Sequence, residues 1–371
     1  ATFTGAGTTT YTVGGSIQLD PAASFIAASS TVLMNATTSG KAIAVASGAT
    51  FTPNLLTFNG VGGAWNLTGD IVSSSSIELA AGTVTGTSNI TLKNGSFFGN
   101  GLLSLGSGTT TLWQSNTLGG TQAWTFNNLI LGNAAVVGTT TPAGVATTTV
   151  AGFLRIATGH FLDAGNSVWN LTGNGTVFTE NGTFLEDTST VAYGGFGAAN
   201  IHATDYYNLQ LDAGGGAPTF TAGALGLHIR NNLTIGPTGT TTVDFTANDP
   251  VLAVDGNVVI GALGTLQASD VSSFTVSGSW DSNGVYTANG GTVTFAGTGT
   301  HTIAAGNSDF ANVQLIGSGR FSVPEHATAT GAFTLSNVSD FTLASGQVLA
   351  VGGSFTNNVG GSATTWSGST L

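Results

Sequence analysis

With 371 residues, 57 of them Gly and only 6% charged, the chain sits far from the roughly 25% charged fraction of ordinary globular domains. Lys and Arg number 5 against 17 Asp and Glu, and the resulting net charge of -12 excludes a nucleic-acid partner, which needs a basic stripe to displace counterions from phosphate. The basic residues Lys41, Lys93, Arg155, Arg230 and Arg320 are scattered and no apolar run reaches the roughly 18 residues of a membrane span, so neither a polybasic membrane patch nor membrane insertion is expected.

Hydrophobic residues make up 41%, with 21 Phe and 6 Trp, so the chain carries enough apolar surface to build a core. Without Cys it has neither a disulfide framework nor a thiolate metal site. It begins at Ala1 without a basic and apolar leader, the pattern expected of a mature exported product or of a fragment. These features together give the expectation of an extracellular or cell-surface location.

Taken in chain order, the segments alternate with period two and show no sustained helical period. Residues 1–107 contain short alternating runs such as 89–92 (NITL) and the phrase WNLTG at 65–69, which recurs at 169–173. Strands of about four to six residues are separated by turn signals such as Asn94-Gly95, Asn181-Gly182, Asn283-Gly284 and Asn289-Gly290. The chain therefore reads as all-β.

From residue 108 a module recurs: an aromatic-ended strand, a turn-rich stretch, then an aromatic residue, Asn and an alternating apolar pair. Residues 108–113 (GTTTLW) lead to 126–131 (FNNLIL), residues 189–193 (STVAY) to 206–211 (YYNLQL), and residues 291–295 (GTVTF) to 310–315 (FANVQL). A fourth copy opens at 362–366 (SATTW) and breaks off at Leu371, which is expected to be completed by a longer parent chain or by the next subunit. The sequence thus divides into 1–107, a β-rich segment; 108–361, three modules; and 362–371, a truncated fourth. Module length varies, which a propeller cannot tolerate and a solenoid can.

The stretch GSWDSNGVYTANGGTVTFAGTGTHTI at 278–303, with FANVQL after it, resembles the repeats of exported prokaryotic surface proteins built as right-handed parallel β-helices, the class that includes filamentous-haemagglutinin-like adhesins and autotransporter passengers. The resemblance implies a right-handed parallel β-helix, or β-solenoid. If each coil takes about 20 residues and adds about 4.8 Å, the chain makes roughly 18 coils.

On that fold, Phe126, Tyr206 and Phe310 with Leu129, Leu209 and Val313 are expected in an interior or rim ladder, and Asn128, Asn208 and Asn312 are expected to cap turns by bonding nearby backbone. Asp205 and Asp309 occupy equivalent module positions, which favours a repeated turn role. Asp244, Asp249 and Asp255 form the only acidic concentration; as Asx residues with no Lys or Arg beside them in sequence they read as turn residues, and calcium ligation is the sharper alternative. No other cofactor is expected, since His160, His202, His228, His301 and His326 lack metal-binding spacing and no GxSxG elbow sits at a strand-to-helix turn. Thr triplets at 8–10, 109–111, 139–141, 147–149 and 240–242 hint at an ice-binding array, but their spacing does not place one triplet in each coil.

The function expected is that of a non-enzymatic structural or adhesive surface protein, self-associating into a fibre, sheath or layer. Two alternatives remain: a glycan-binding adhesin or phage-type fibre, with Trp113, Trp124 and Trp280 exposed to stack on sugars, and a polysaccharide-degrading β-helix.

Overall fold

The computed structural model describes every residue except Ala6, Asn307 and Ser367; the last belongs to the truncated fourth module, so that part of the module lies outside the described residues. The chain is a β-solenoid of parallel strands with about 16 turns, 51% strand and 1% helix, and among the described residues the one helical piece is the three-residue turn Gly361–Ala363. Coils run longer than 20 residues where corners carry loops. Hydrogen bonds between neighbouring coils join residues from 18 apart, as at Asn208 and Thr190, to 28 apart, as at Ala213 and Thr241. Among the described residues no helix is long and apolar enough to cross a membrane.

Contact density divides the chain into two compact units, Ala1–Thr172 with Val177–Ser189, and Gly173–Thr176 with Thr190–Leu371. In the first unit each coil contributes to three walls. The first wall begins at Thr2–Thr4 and runs through Asn89–Leu92, Thr109–Leu112 and Asn128–Leu131 to Phe178–Glu180. The second begins at Thr10–Val13 and the third at Ile17–Leu19, and the long strands Leu55–Thr68 and Ile77–Gly86 pass around the corner between these two.

The third wall shows how the pattern of residues makes the fold. In each strand every second side chain points inward, and the inward positions stack coil on coil: Trp65, Val84, Leu103, Trp124, Thr148 and Trp169 form one column in strict register. The two WNLTG phrases supply its first and last Trp, and the Gly that closes the first one is required by its backbone. Gly69 has φ 81 and a Cβ there would strike the carbonyl of Val45 on the coil below.

The second unit is also built on three rows of parallel strands. One runs from Thr190–Tyr193 through Asn208–Leu211, Trp280–Ser282 and Thr300–Ala304 to Thr364–Thr365; the next from Ala199–Ile201 to Val285–Thr287; the last from Asp205–Tyr206 to Phe355–Asn357. The middle row is interrupted: it ends at Val285–Thr287, and a separate pair, Ala327–Ala329 with Leu349–Val351, takes it up again. Between them Ser308 substitutes for a strand, its Oγ accepting from the Tyr286 amide at 2.8 Å.

The core of both units is mainly apolar and rich in aromatic rings. Phe126, Leu129, Tyr206, Leu209, Phe310 and Val313 are all at most 3% exposed. In the second unit Trp280 sits edge-on to Tyr286 and Phe310 at ring-centroid separations of 4.8 and 5.2 Å, a geometry that adds to area burial.

Candidate functional site

The recurring module resolves into a simple object. Its two strands are the same wall position on successive coils: Thr109 lies opposite Asn128, Thr190 opposite Asn208, and Thr292 opposite Asn312. Asn128, Asn208 and Asn312 each open a strand, and their side chains do not cap local turns as expected. They reach to the next coil. The Asn128 Oδ1 accepts from the Phe153 amide at 3.2 Å, the Asn312 Oδ1 from the Ala332 amide at 2.9 Å, and the Asn208 Oδ1 from the Asn231 side chain at 2.9 Å and the Asn232 amide at 3.4 Å.

In the second unit this becomes a relay along one edge. The Asn232 Oδ1 accepts from the Asn257 amide at 3.0 Å, the Asn257 Oδ1 from the Ser279 amide at 2.8 Å, and the Ser279 Oγ from the Thr302 amide at 3.1 Å. At a corner the strand ladder lapses, and an amide that would be left without a partner takes a short side chain from the coil below. The sequence signal for Asn232, Asn257 and Ser279 was available as Asn or Ser just before each alternating run, but only the register shows that they serve one another.

The three aspartates weighed as calcium ligands go separate ways. Asp244 closes the strand Thr241–Asp244 and its Oδ1 accepts from the Thr246 amide and hydroxyl at 2.8 and 2.7 Å, a local turn. Asp249 adopts φ 47 in a corner loop, where its carbonyl accepts from the Ser272 hydroxyl. Asp255 lies past the next strand and pairs with His228, whose Nε2 is 2.9 Å from its Oδ2. Among the described residues no three His, Cys, Asp or Glu side chains form a group able to hold a metal ion.

The basic partner that the linear sequence denied to Asp255 is therefore supplied from the coil below. The same coil-to-coil approach gives Asp205 two neighbours: the Arg230 guanidinium donates to its Oδ2 at 2.6 Å and the His228 Nδ1 lies 3.6 Å away. Asp309, its module equivalent, is instead exposed on the rim of the groove described below, so the two positions do not share one role. In the first unit the Asp187 carboxyl hydrogen-bonds Asp163, donating when protonated, and that hydrogen bond, followed by burial and the Asp163 charge, pushes it above the usual range.

The aromatic platform expected for sugars is absent at two of its three positions. Trp124 is 1% and Trp280 0% exposed, because each falls on the inward phase of its strand. Trp113 follows the strand Thr109–Leu112, is half-buried, and lies beneath the Lys93 ammonium at 5.6 Å from the ring centroid. The interrupted row of the second unit opens a groove of about 510 Å³ between the segment Asn283–Gly290 and residues Ser308–Ala311, with Asn283, Asn289, Ser308 and Asp309 offering polar groups.

No protein-family model, curated protein or solved structure matches this chain.

Proposed function

We propose that the chain is a structural and adhesive element of an extracellular or cell-surface assembly, a stiff stack that associates with further copies of itself. The observation that carries this reading is the use of its polar side chains. Asn89, Asn128, Asn232, Asn257, Ser279 and Asn312 all accept from the backbone of a neighbouring coil, so the groups that could do chemistry are engaged in holding the stack. Sparse charge serves the same end, since like charges on adjacent coils would lie about 4.8 Å apart. Electron microscopy and sedimentation of the purified chain over a range of concentrations test it. Assemblies that grow with concentration are expected; particles that stay monodisperse throughout would remove self-association from the reading.

The groove favours a second reading, in which the surface binds a glycan. Its lining of Asn283, Asn289, Ser308 and Asp309 offers donors and acceptors suited to sugar hydroxyls. A glycan array probed with the native chain and with Asp309→Ala and Asn289→Ala separates the two readings: binding lost in both variants supports the groove, and an array without binders excludes it.

A further inference from the structure

The third wall of the first unit carries outward a surface unlike the other two. Over six successive coils the outward positions are Ala64, Asn66 and Thr68; Thr83, Thr85 and Thr87; Leu102, Ser104 and Gly106; Ala123, Thr125 and Asn127; Thr147, Thr149 and Ala151; and Val168, Asn170 and Thr172. None is ionisable and none is buried, while the residues between them are buried without exception. The central column runs Asn66, Thr85, Ser104, Thr125, Thr149, Asn170 with every pair in direct register. The third-wall strand directly beneath these coils, Lys41–Val45, carries Lys41, and on the first and second walls Arg155, Glu180, Glu78 and Asp163 lie in the strands.

We propose that this wall is an ice-binding surface, a site for ordered water rather than for a solute. Parallel stacking fixes the array at about 4.8 Å between coils and roughly 6.6 Å between outward positions of one strand, a two-dimensional lattice of short side chains. Thr is its commonest residue, at eight of the 18 positions, and a Thr side chain offers one methyl and one hydroxyl on a Cβ whose branching restricts χ1, so little rotamer entropy is lost when water orders against it. A charged group would hold its own hydration shell and break such a lattice. Of the Thr triplets only 147–149 lies in this wall, giving Thr147 and Thr149; 109–111 and 139–141 belong to the other two walls and 240–242 to the second unit, so the register assembles the rest of the array from Thr residues of separate coils.

Other occupants fit less well. The array covers on the order of 400 Å² by its lattice dimensions, about half of what each partner contributes to a stable protein interface. A glycan would want an aromatic platform, and the Trp residues of this wall, Trp65, Trp124 and Trp169, all face inward.

The inference is independent of the structural role proposed above, and its test is separate. Growth of single ice crystals is watched in the presence of the full chain, of Thr85→Lys and Thr125→Lys, and of the control Thr91→Lys on the first wall, with circular dichroism melts confirming that each variant is folded. Faceted crystals and a freezing point held below the melting point are expected with the native chain and the control, and loss of both with the two array variants. A native chain that leaves crystal shape and freezing point as an equal concentration of an inert acidic protein does overturns the proposal without any variant. Equal loss in the Thr91→Lys control overturns it too. Retention of the native chain on an insoluble neutral polysaccharide, abolished by Thr85→Lys and without any effect on ice, gives the wall to a glycan instead.

Discussion

His160 shows how much a single residue can demand of its coil. Its ring is wholly buried, its Nε2 lies 2.8 Å from the Thr140 hydroxyl on the coil below, and its Nδ1 has no hydrogen-bond partner. Burial holds its pKa below the ordinary value of 6.5, so the unfolded chain binds the proton more readily than the folded one. The stability that the neutral ring protects is complete above about pH 6.5 and is lost as the pH falls below it, with a slope of at most about 1.4 kcal/mol per pH unit. Thermal melts taken from about pH 8 down to about pH 5 should show this decline, and His160→Gln should flatten it. An unchanged slope in the variant would assign the dependence to another group. Trp280 makes the opposite kind of demand: it fills the second unit's core, and Trp280→Ala is expected to cost about 3–5 kcal/mol by denaturant titration. Trp280→Phe should cost less, since the indole Nε1 has no acceptor to lose. That Trp124 and Trp280 are core rather than surface could not be read from their neighbours, because a period-two run does not say which phase faces inward.

At the scale of the strand, the spacing within each module carried real information. Thr190 and Asn208 recur 18 residues apart because that is one turn of the coil, and the ladder bond between their side chains closes at 3.4 Å. The fate of the strand-opening Asn was not legible, since its acceptor works on a residue one coil later. Asn257 tests that bridge. Its Oδ1 takes the Ser279 amide at 2.8 Å, and Asn257→Ala should destabilise the second unit by about 1 kcal/mol, read as a shift of its denaturation midpoint with unchanged slope. Asn257→Asp, which keeps the acceptor, should recover most of the loss. The interruption of the middle row at Val285–Thr287 likewise left no trace in sequence, because the segment that replaces a strand there has the same Gly, Asn and Ser content as any corner.

At the scale of the whole chain, the acidic residues are dispersed rather than gathered. Asp244, Asp249 and Asp255 belong to a strand end, a corner loop and a His pair, so neither calcium at millimolar excess nor a chelator is expected to move the melting temperature; a rise of several degrees with calcium would show that the three do converge on an ion. The exposed Asp205–Arg230 pair should contribute no more than about 1 kcal/mol, and less in salt. What the sequence by itself determined is the class of structure: period-two alternation, Gly-rich corners, modules of unequal length and a 6% charged fraction leave a stack of parallel coils as the arrangement that satisfies the backbone. Only the tertiary structure decided which wall each strand joins, and with it which side chains meet. Residues about 20 positions apart become neighbours at strand spacing, and a shift of one residue in register would exchange the buried Trp column of the third wall for its outward Thr and Asn.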